Sequence, residues 1–246
     1  MCYIFSLPPP EAPAPMRTPA LRRVFLTFLL PLAALSSRSG VCQTDTTTAA
    51  DLAALEALYW ARQDSARRDF TEADVRFMDG MIGHHAQALI MAALAPTNGA
   101  SPAVRTLAAR ITNAQRDEIA LMQRWLRDRG QPVPEVHIDG LTLMIHGGQS
   151  GHGGHGHDHA MMPGMLTDAQ LQELAAAQGL DFDRLFLTYM IQHHRGAVTM
   201  VDELFATDGA AQDEAAFKLA SDIHVDQLTE IARMQRMLDA LPDPEP

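Results

Sequence analysis

Met81-Ile82-Gly83-His84-His85-Ala86-Gln87-Ala88-Leu89-Ile90-Met91 returns 109 positions later (193 − 84) as Met190-Ile191-Gln192-His193-His194-Arg195-Gly196-Ala197-Val198-Thr199-Met200. The agreement runs upstream, where Asp74 and Phe77 match Asp183 and Phe186. It also runs downstream, where Gln115, Glu118, Ile119 and Met122 match Gln227, Glu230, Ile231 and Met234 at an offset of 112 (227 − 115). Agreement sustained over so long a stretch marks a duplicated structural unit. Each copy reads as a helix, a loop bearing Pro, Gly, Asn or Asp (Pro96 to Pro102; Thr207 to Ala210) and a second helix, hence an αα-hairpin. Thr71 with Asp74 three residues on has the spacing of a capping pair for the first helix.

At 100° per residue, Phe77, Met78, Met81, Ile82, His84, His85, Ala88, Leu89 and Met91 share one apolar stripe, while Asp79, Ala86 and Ile90 point away. The second copy repeats the stripe with Phe186, Met190, His193, His194, Ala197, Val198 and Met200, Thr199 lying outside it. Four histidines are therefore expected inside. On the partner helices, Gln115 and Glu118 fall within the stripe of Leu107, Ile111, Met122 and Leu126, and Gln227 and Glu230 do the same in the second copy. Buried amides and carboxylates need hydrogen-bond partners or a cation, and the facing imidazoles are the expected partners.

Aromatic residues make up only 6% of the chain, against 47% hydrophobic residues overall, so helices are favoured over sheets. The expected fold class is all-α: a four-helix bundle of two duplicated αα-hairpins, residues 71–129 and 166–240, with an extra N-terminal helix over 51–70. A linker rich in Gly, His and Met spans 130–165. Residues 1–41 read as a signal segment with its start at Met1 or Met16. Arg17, Arg22 and Arg23 precede an apolar run from Val24 to Leu35 that is too short to span a membrane. A cut near Ala34-Leu35-Ser36 suits export to the periplasm or the extracellular space. Cys42 is the rival boundary, as a lipid anchor, although Ser39-Gly40-Val41 fits that pattern poorly.

Both cysteines, Cys2 and Cys42, lie at or before this boundary, leaving the expected mature domain without disulfide or thiolate. Removing the four Arg and one Glu of residues 1–41 from 19 basic and 30 acidic residues leaves a net charge of −14. Such a surface repels nucleic acid and attracts cations.

Met81 with His84 and His85, and Met190 with His193 and His194, place thioether and imidazole on neighbouring turns, a donor set suited to Cu(I). Met91 and Met200 lie about 15 Å further along the axis at 1.5 Å per residue and need a separate site or another helix. Gln115, Glu118, Gln227 and Glu230 are expected to orient the imidazoles. A lone Met or His at such spacing is ordinary core; the paired recurrence in both copies is what separates the two readings. In the linker, His146, His152, His155, His157 and His159 precede Met161, Met162 and Met165, a flexible tract able to gather imidazoles round an ion without choosing among Cu, Ni and Zn.

On these residues the chain resembles the family named domain of unknown function 305, whose motif is Met-Ile-x-His-His-x-x-Ala-x-x-Met. Met81–Met91 and Met190–Met200 match it, as do Gln115 to Met122, Gln227 to Met234 and the Met162-Pro163-Gly164-Met165 element. The resemblance implies a ferritin-like helical bundle in an exported protein, with copper or silver binding and tolerance in some members. Di-iron bundles carry Glu-x-x-His, whereas Glu118 is followed at that spacing by Leu121 and Glu230 by Arg233, which disfavours oxygenase chemistry.

The expected function is Cu(I) or Ag(I) sequestration by a non-enzymatic protein, with Ni or Zn as other cargoes. The alternatives are a metal-dependent enzyme using His and Glu with Zn or Fe, and a structural bundle whose histidines only hydrogen-bond. The chain has no nucleophile motif, Gly-rich phosphate loop or His-Glu-x-x-His to favour the enzyme.

Overall fold

The computed structural model describes residues 48–66, 69–148 and 162–243. Within them lie α1 (Ala49–Ala66), α2 (Glu72–Ala93), α3 (Pro102–Asp128), β1 (Glu135–Asp139), β2 (Thr142–His146), α4 (Asp168–Ala176), α5 (Gly179–Ala206) and α6 (Glu214–Asp239). Helices α2 and α3 form one antiparallel hairpin and α5 and α6 the other; α2 packs on α5, and α3 on α6. The result is the expected four-helix bundle. The segment over 1–41 and Cys42 lie outside the described residues. Among those described, no helix is long and apolar enough to cross a membrane.

Local sequence sets the helix ends. Thr71 Oγ1 accepts from Asp74 N while Asp74 Oδ2 accepts from Thr71 N at 2.7 Å, a complete capping box. Ser101 caps α3, with Pro102 in its first turn, where a missing N–H costs nothing. The two repeats also cross-cap each other. Asp74 Oδ1 accepts the backbone N–H of Ala211 in the α5–α6 loop at 2.7 Å, and its counterpart Asp183 accepts Ser101 N, at the start of α3, at 3.1 Å. Both carboxylates are buried. Asp74 thereby helps hold Ala211 in the left-handed region, φ 54°, where a Cβ is unfavourable.

The core is divided along the bundle axis. One apolar cluster takes Val75 to Ile82 of α2, Ile119 to Leu126 of α3, Ala197 to Leu204 of α5 and Ala216 to Ile223 of α6. The other takes Ala88 to Ala92, Val104 to Ile111, Phe182 to Ile191 and Met234 from the same four helices. Between them lies a polar waist made of His84, His85, Gln115, Glu118, His193, His194, Gln227 and Glu230.

Three features depart from the sequence reading. Residues 130–165, read as a linker, contain the antiparallel hairpin β1–β2, in which Glu135 faces His146 and Asp139 faces Thr142. This hairpin lies on α2 and is tied to α3 by Gln123 Nε2, which donates to Pro134 O at 2.8 Å. With that cover, Asp79, Ala86 and Ile90, expected to point away, are all buried, and α2 becomes a central helix. Ahead of α5 a further helix, α4, begins with its own capping box, Thr167 with Gln170. The N-terminal helix α1 is exposed, and Leu52, Leu55, Leu58, Tyr59 and Trp60 face solvent.

Candidate metal centre

All four histidines of the repeated motif are fully buried. His84 and His193, one from each repeat, meet at the centre with ring centroids 3.9 Å apart and planes tilted by 38°. His85 and His194 lie outward of them, their centroids 6.4 and 6.1 Å from those of His84 and His193.

The Nε2 atoms have oxygen partners. His84 Nε2 donates to Pro163 O at 3.0 Å, and His193 Nε2 donates to the backbone carbonyl of His84 at 2.9 Å. His194 Nε2 donates to Glu230 Oε2 at 2.7 Å. His85 Nε2 stands 2.7 Å from Glu118 Oε2, at ion-pair distance but without hydrogen-bond alignment. Glu230 thus bonds the His194 ring, and Glu118 stands beside the His85 ring. A carbonyl or carboxylate has no proton to offer, so a neutral ring bonded to one through Nε2 carries its proton there and keeps its lone pair on Nδ1. The Nδ1 atoms of His84, His85, His193 and His194 are all buried and meet no protein partner, and neither do Gln115 Oε1 and Gln227 Oε1.

The two central rings are held neutral. Burial, and then the neighbouring imidazole of His85, pull the His84 pKa from 6.5 to about 3. Burial followed by the charges of His84, His194 and His85 holds His193 well below 6.5. At the solvent edge of α6, partial burial and then the carboxylates of Glu118, Glu230 and Asp222 raise the pKa of Asp226, so negative charge gathers outside the two outer pairs.

The methionines divide. Met81 and Met190 are buried within the two apolar clusters, as is Met91, which packs in the cluster of Leu107 and Phe186. Met200 lies in the other cluster, close to Met162 across Gly80. Of the tract expected to gather metal, His146 ends β2 exposed, Met162 is half-buried and Met165 is buried. His152, His155, His157, His159 and Met161 lie outside the described residues. Among the described residues no group of three or more His, Cys, Asp or Glu side chains is arranged to hold an ion.

Sequence reasoning missed the strap over residues 162–166. Pro163 occupies the second position and Gly164, φ 77°, the third position of a tight turn closed by Met165 N donating to Met162 O at 3.2 Å. Gln87 clamps Leu166 twice, donating to its carbonyl at 3.0 Å and accepting from its N–H at 2.8 Å. Across from it, Gly196 leaves room for the strap: a Cβ there would overlap Pro163 O and stand 2.7 Å from Gly164 Cα. The available signals were the Met162-Pro163-Gly164-Met165 element itself and a bare glycine, Gly196, where the first copy carries Gln87.

Fold and site together define a duplicated helical-hairpin bundle with paired imidazoles across its waist. The chain belongs to the family Domain of unknown function (DUF305), whose model matches residues 74–238. Solved structures similar to it include a DUF305 fragment from Deinococcus radiodurans, 31% identical over 70% of this chain and 99% of that one, TM-score 0.56. A putative secreted DUF305 protein from Streptomyces coelicolor is 26% identical over 68% and 91%, TM-score 0.54. CopM, solved in Cu(I)-, Cu(II)- and Ag-bound forms, is 29% identical in the Cu(I) form over 68% and 95%, TM-score 0.48. No curated protein matches the chain.

Proposed function

We propose that the protein is an exported, non-enzymatic binder of soft monovalent cations, Cu(I) first and Ag(I) second, sequestering them at the waist of its bundle. The observation that carries this reading is the set of four buried Nδ1 atoms without a protein partner. Leaving a buried polar atom unpaired costs about 1–3 kcal/mol, and here an unpaired ring nitrogen recurs on each of four rings. Imidazoles that ligate metal commonly donate their other N–H to a carbonyl or carboxylate, the arrangement made here by Pro163 O, His84 O and Glu230, with Glu118 at ion-pair distance from His85.

His84 and His193 are the proposed central donors, shared between the repeats, with His85 and His194 outside them and Met81 and Met190 as candidate thioether ligands. Gln115 and Gln227 are proposed to steady the rings. A d10 ion that accepts two or three ligands suits a site without a converging N/O cage better than Zn does. Net charge −11 favours cation capture, and residues 146–165 serve as a secondary collector. Export is supported by the basic and apolar run of residues 17–35 and by the secreted relative from Streptomyces coelicolor.

Anaerobic Cu(I) titration against a competing chelator tests the proposal. Deleting residues 149–161 is expected to leave the tight phase, while His84→Ala/His193→Ala removes it with the fold retained by circular dichroism. Loss of the tight phase on deletion alone would move the site to the tract. Metal-free protein with no tight phase at all would leave the histidines as structural hydrogen-bond donors.

A further inference from the structure

Outside the imidazole layer, the least expected use of side chains is at Gly80. A Cβ built on this residue would stand 3.3 Å from Met162 Sδ and 3.4 Å from Met200 Cε, so the sulfur of Met162 in the strap and the methyl end of Met200 in α5 come together over one bare turn of α2. Glycine in a helix interior costs roughly 0.5–1 kcal/mol relative to alanine. The equivalent position in the second repeat is Tyr189, whose hydroxyl is bonded to Glu173, so the gap is not a requirement of the repeat. Met162 is half-buried and Gly80 partly exposed, which puts the patch at the protein's edge.

The backbone that carries Met162 is anchored. The next residue, Pro163, accepts from His84, and the strap beyond is fixed by Gln87 and by the backbone contact at Gly196. A thioether on an anchored backbone has less chain entropy left to lose on binding. Gly80 lies one turn before His84 in α2.

We infer that Met162 and Met200 form a separate outer site for a soft monovalent cation, floored by Gly80 and one helical turn from the buried imidazoles. It rests on the soft-cation reading above and adds a place of first capture, where a thioether pair takes the ion at the solvent edge before the inner rings do. Thioethers select soft ions, and neither sulfur titrates, so capture here does not compete with protons.

The test is Ag(I) titration of the whole protein carrying 13C-labelled methionine methyl groups, with the histidine ring protons followed in parallel. The Met162 and Met200 methyls, assigned by Met162→Leu and Met200→Leu, are expected to shift together. Either substitution, close in volume, should abolish the response of the remaining partner and weaken that site by about tenfold or more. Gly80→Ala keeps every donor but crowds the sulfur, and it should weaken the same site without lowering the melting temperature. Ring shifts at His84 and His193 without methyl shifts would overturn the outer site. So would a Met200 response that survives Met162→Leu. Methyl shifts without ring shifts would keep it and remove the imidazole site instead.

Discussion

Helices α2 and α5 carry the same motif, yet they live in different surroundings. Helix α2 is enclosed by α3, α5 and the β-hairpin, while α5 keeps Arg195, Thr199, Asp202 and Glu203 in solvent. The outer pairs match in distance, His85–Glu118 and His194–Glu230 both lying at 2.7 Å, though only the second is aligned as a hydrogen bond. The inner pair differs in partner: His193 bonds to its sister helix, whereas His84 bonds to the strap. Two residues at one repeat position account for this, since Gln87 grips the strap and Gly196 makes way for it. Duplication supplied the donors, and two local substitutions decided which ring is covered by a different segment of chain.

The largest expected effect concerns what the inner rings share. Both are neutral when folded, while in the unfolded chain each takes up a proton near pH 6.5. Metal-free protein should therefore be fully stable above that pH and lose stability as pH falls from 6.5, for His84 down to about 3. Unfolding free energies from urea titrations at about pH 7.5 and about pH 4.5 should differ by roughly 2–5 kcal/mol; equal values would mean the rings are not dry.

Next comes Gly196→Ala, whose methyl meets strap backbone that cannot give way, expected to cost about 3 kcal/mol in urea unfolding and to expose His84 to solvent exchange. Gln87→Ala, at the matching position, leaves Leu166 N–H and C=O unpaired and should cost about 2 kcal/mol. If the two costs were interchanged, hydrogen bonding rather than strap packing would be the stronger clamp. The smallest contrast is at the helix starts. Thr71→Ala removes a capping box worth about 1 kcal/mol, whereas Gln178→Ala, whose side chain makes no cap bond, should fall within about 0.5 kcal/mol of the parent in thermal unfolding.

The bundle and the inward histidines were legible because a 3.6-residue period and a duplicated motif are both local signals. The burial of Gln115, Glu118 and Gln227 followed from the same periodicity. The β-hairpin was overlooked because Gly and His dominate the composition of its surroundings. Its own signal was nevertheless present: Val136, Ile138, Leu143 and Ile145 alternate with exposed or half-exposed residues around Asp139-Gly140, and Gly140 has φ 59°. The strap's docking was beyond periodicity altogether, since Gln87 and Leu166 lie 79 positions apart; its traces in the sequence are the Met162-Pro163-Gly164-Met165 element and the glycine at 196.

Trp125 illustrates a practical consequence of how the α5–α6 loop is fastened. Its indole donates to Asp213 Oδ1 at 3.2 Å, meets Phe70 edge-on at 5.6 Å and lies under the Arg129 guanidinium at 4.3 Å, while Trp60 stands in solvent on α1. These are the chain's two tryptophans. Native fluorescence is therefore the sum of one wet and one sheltered emitter, and only the sheltered one changes colour when the bundle opens. Silencing the wet emitter leaves a single built-in optical gauge, mounted where the two repeats are latched together.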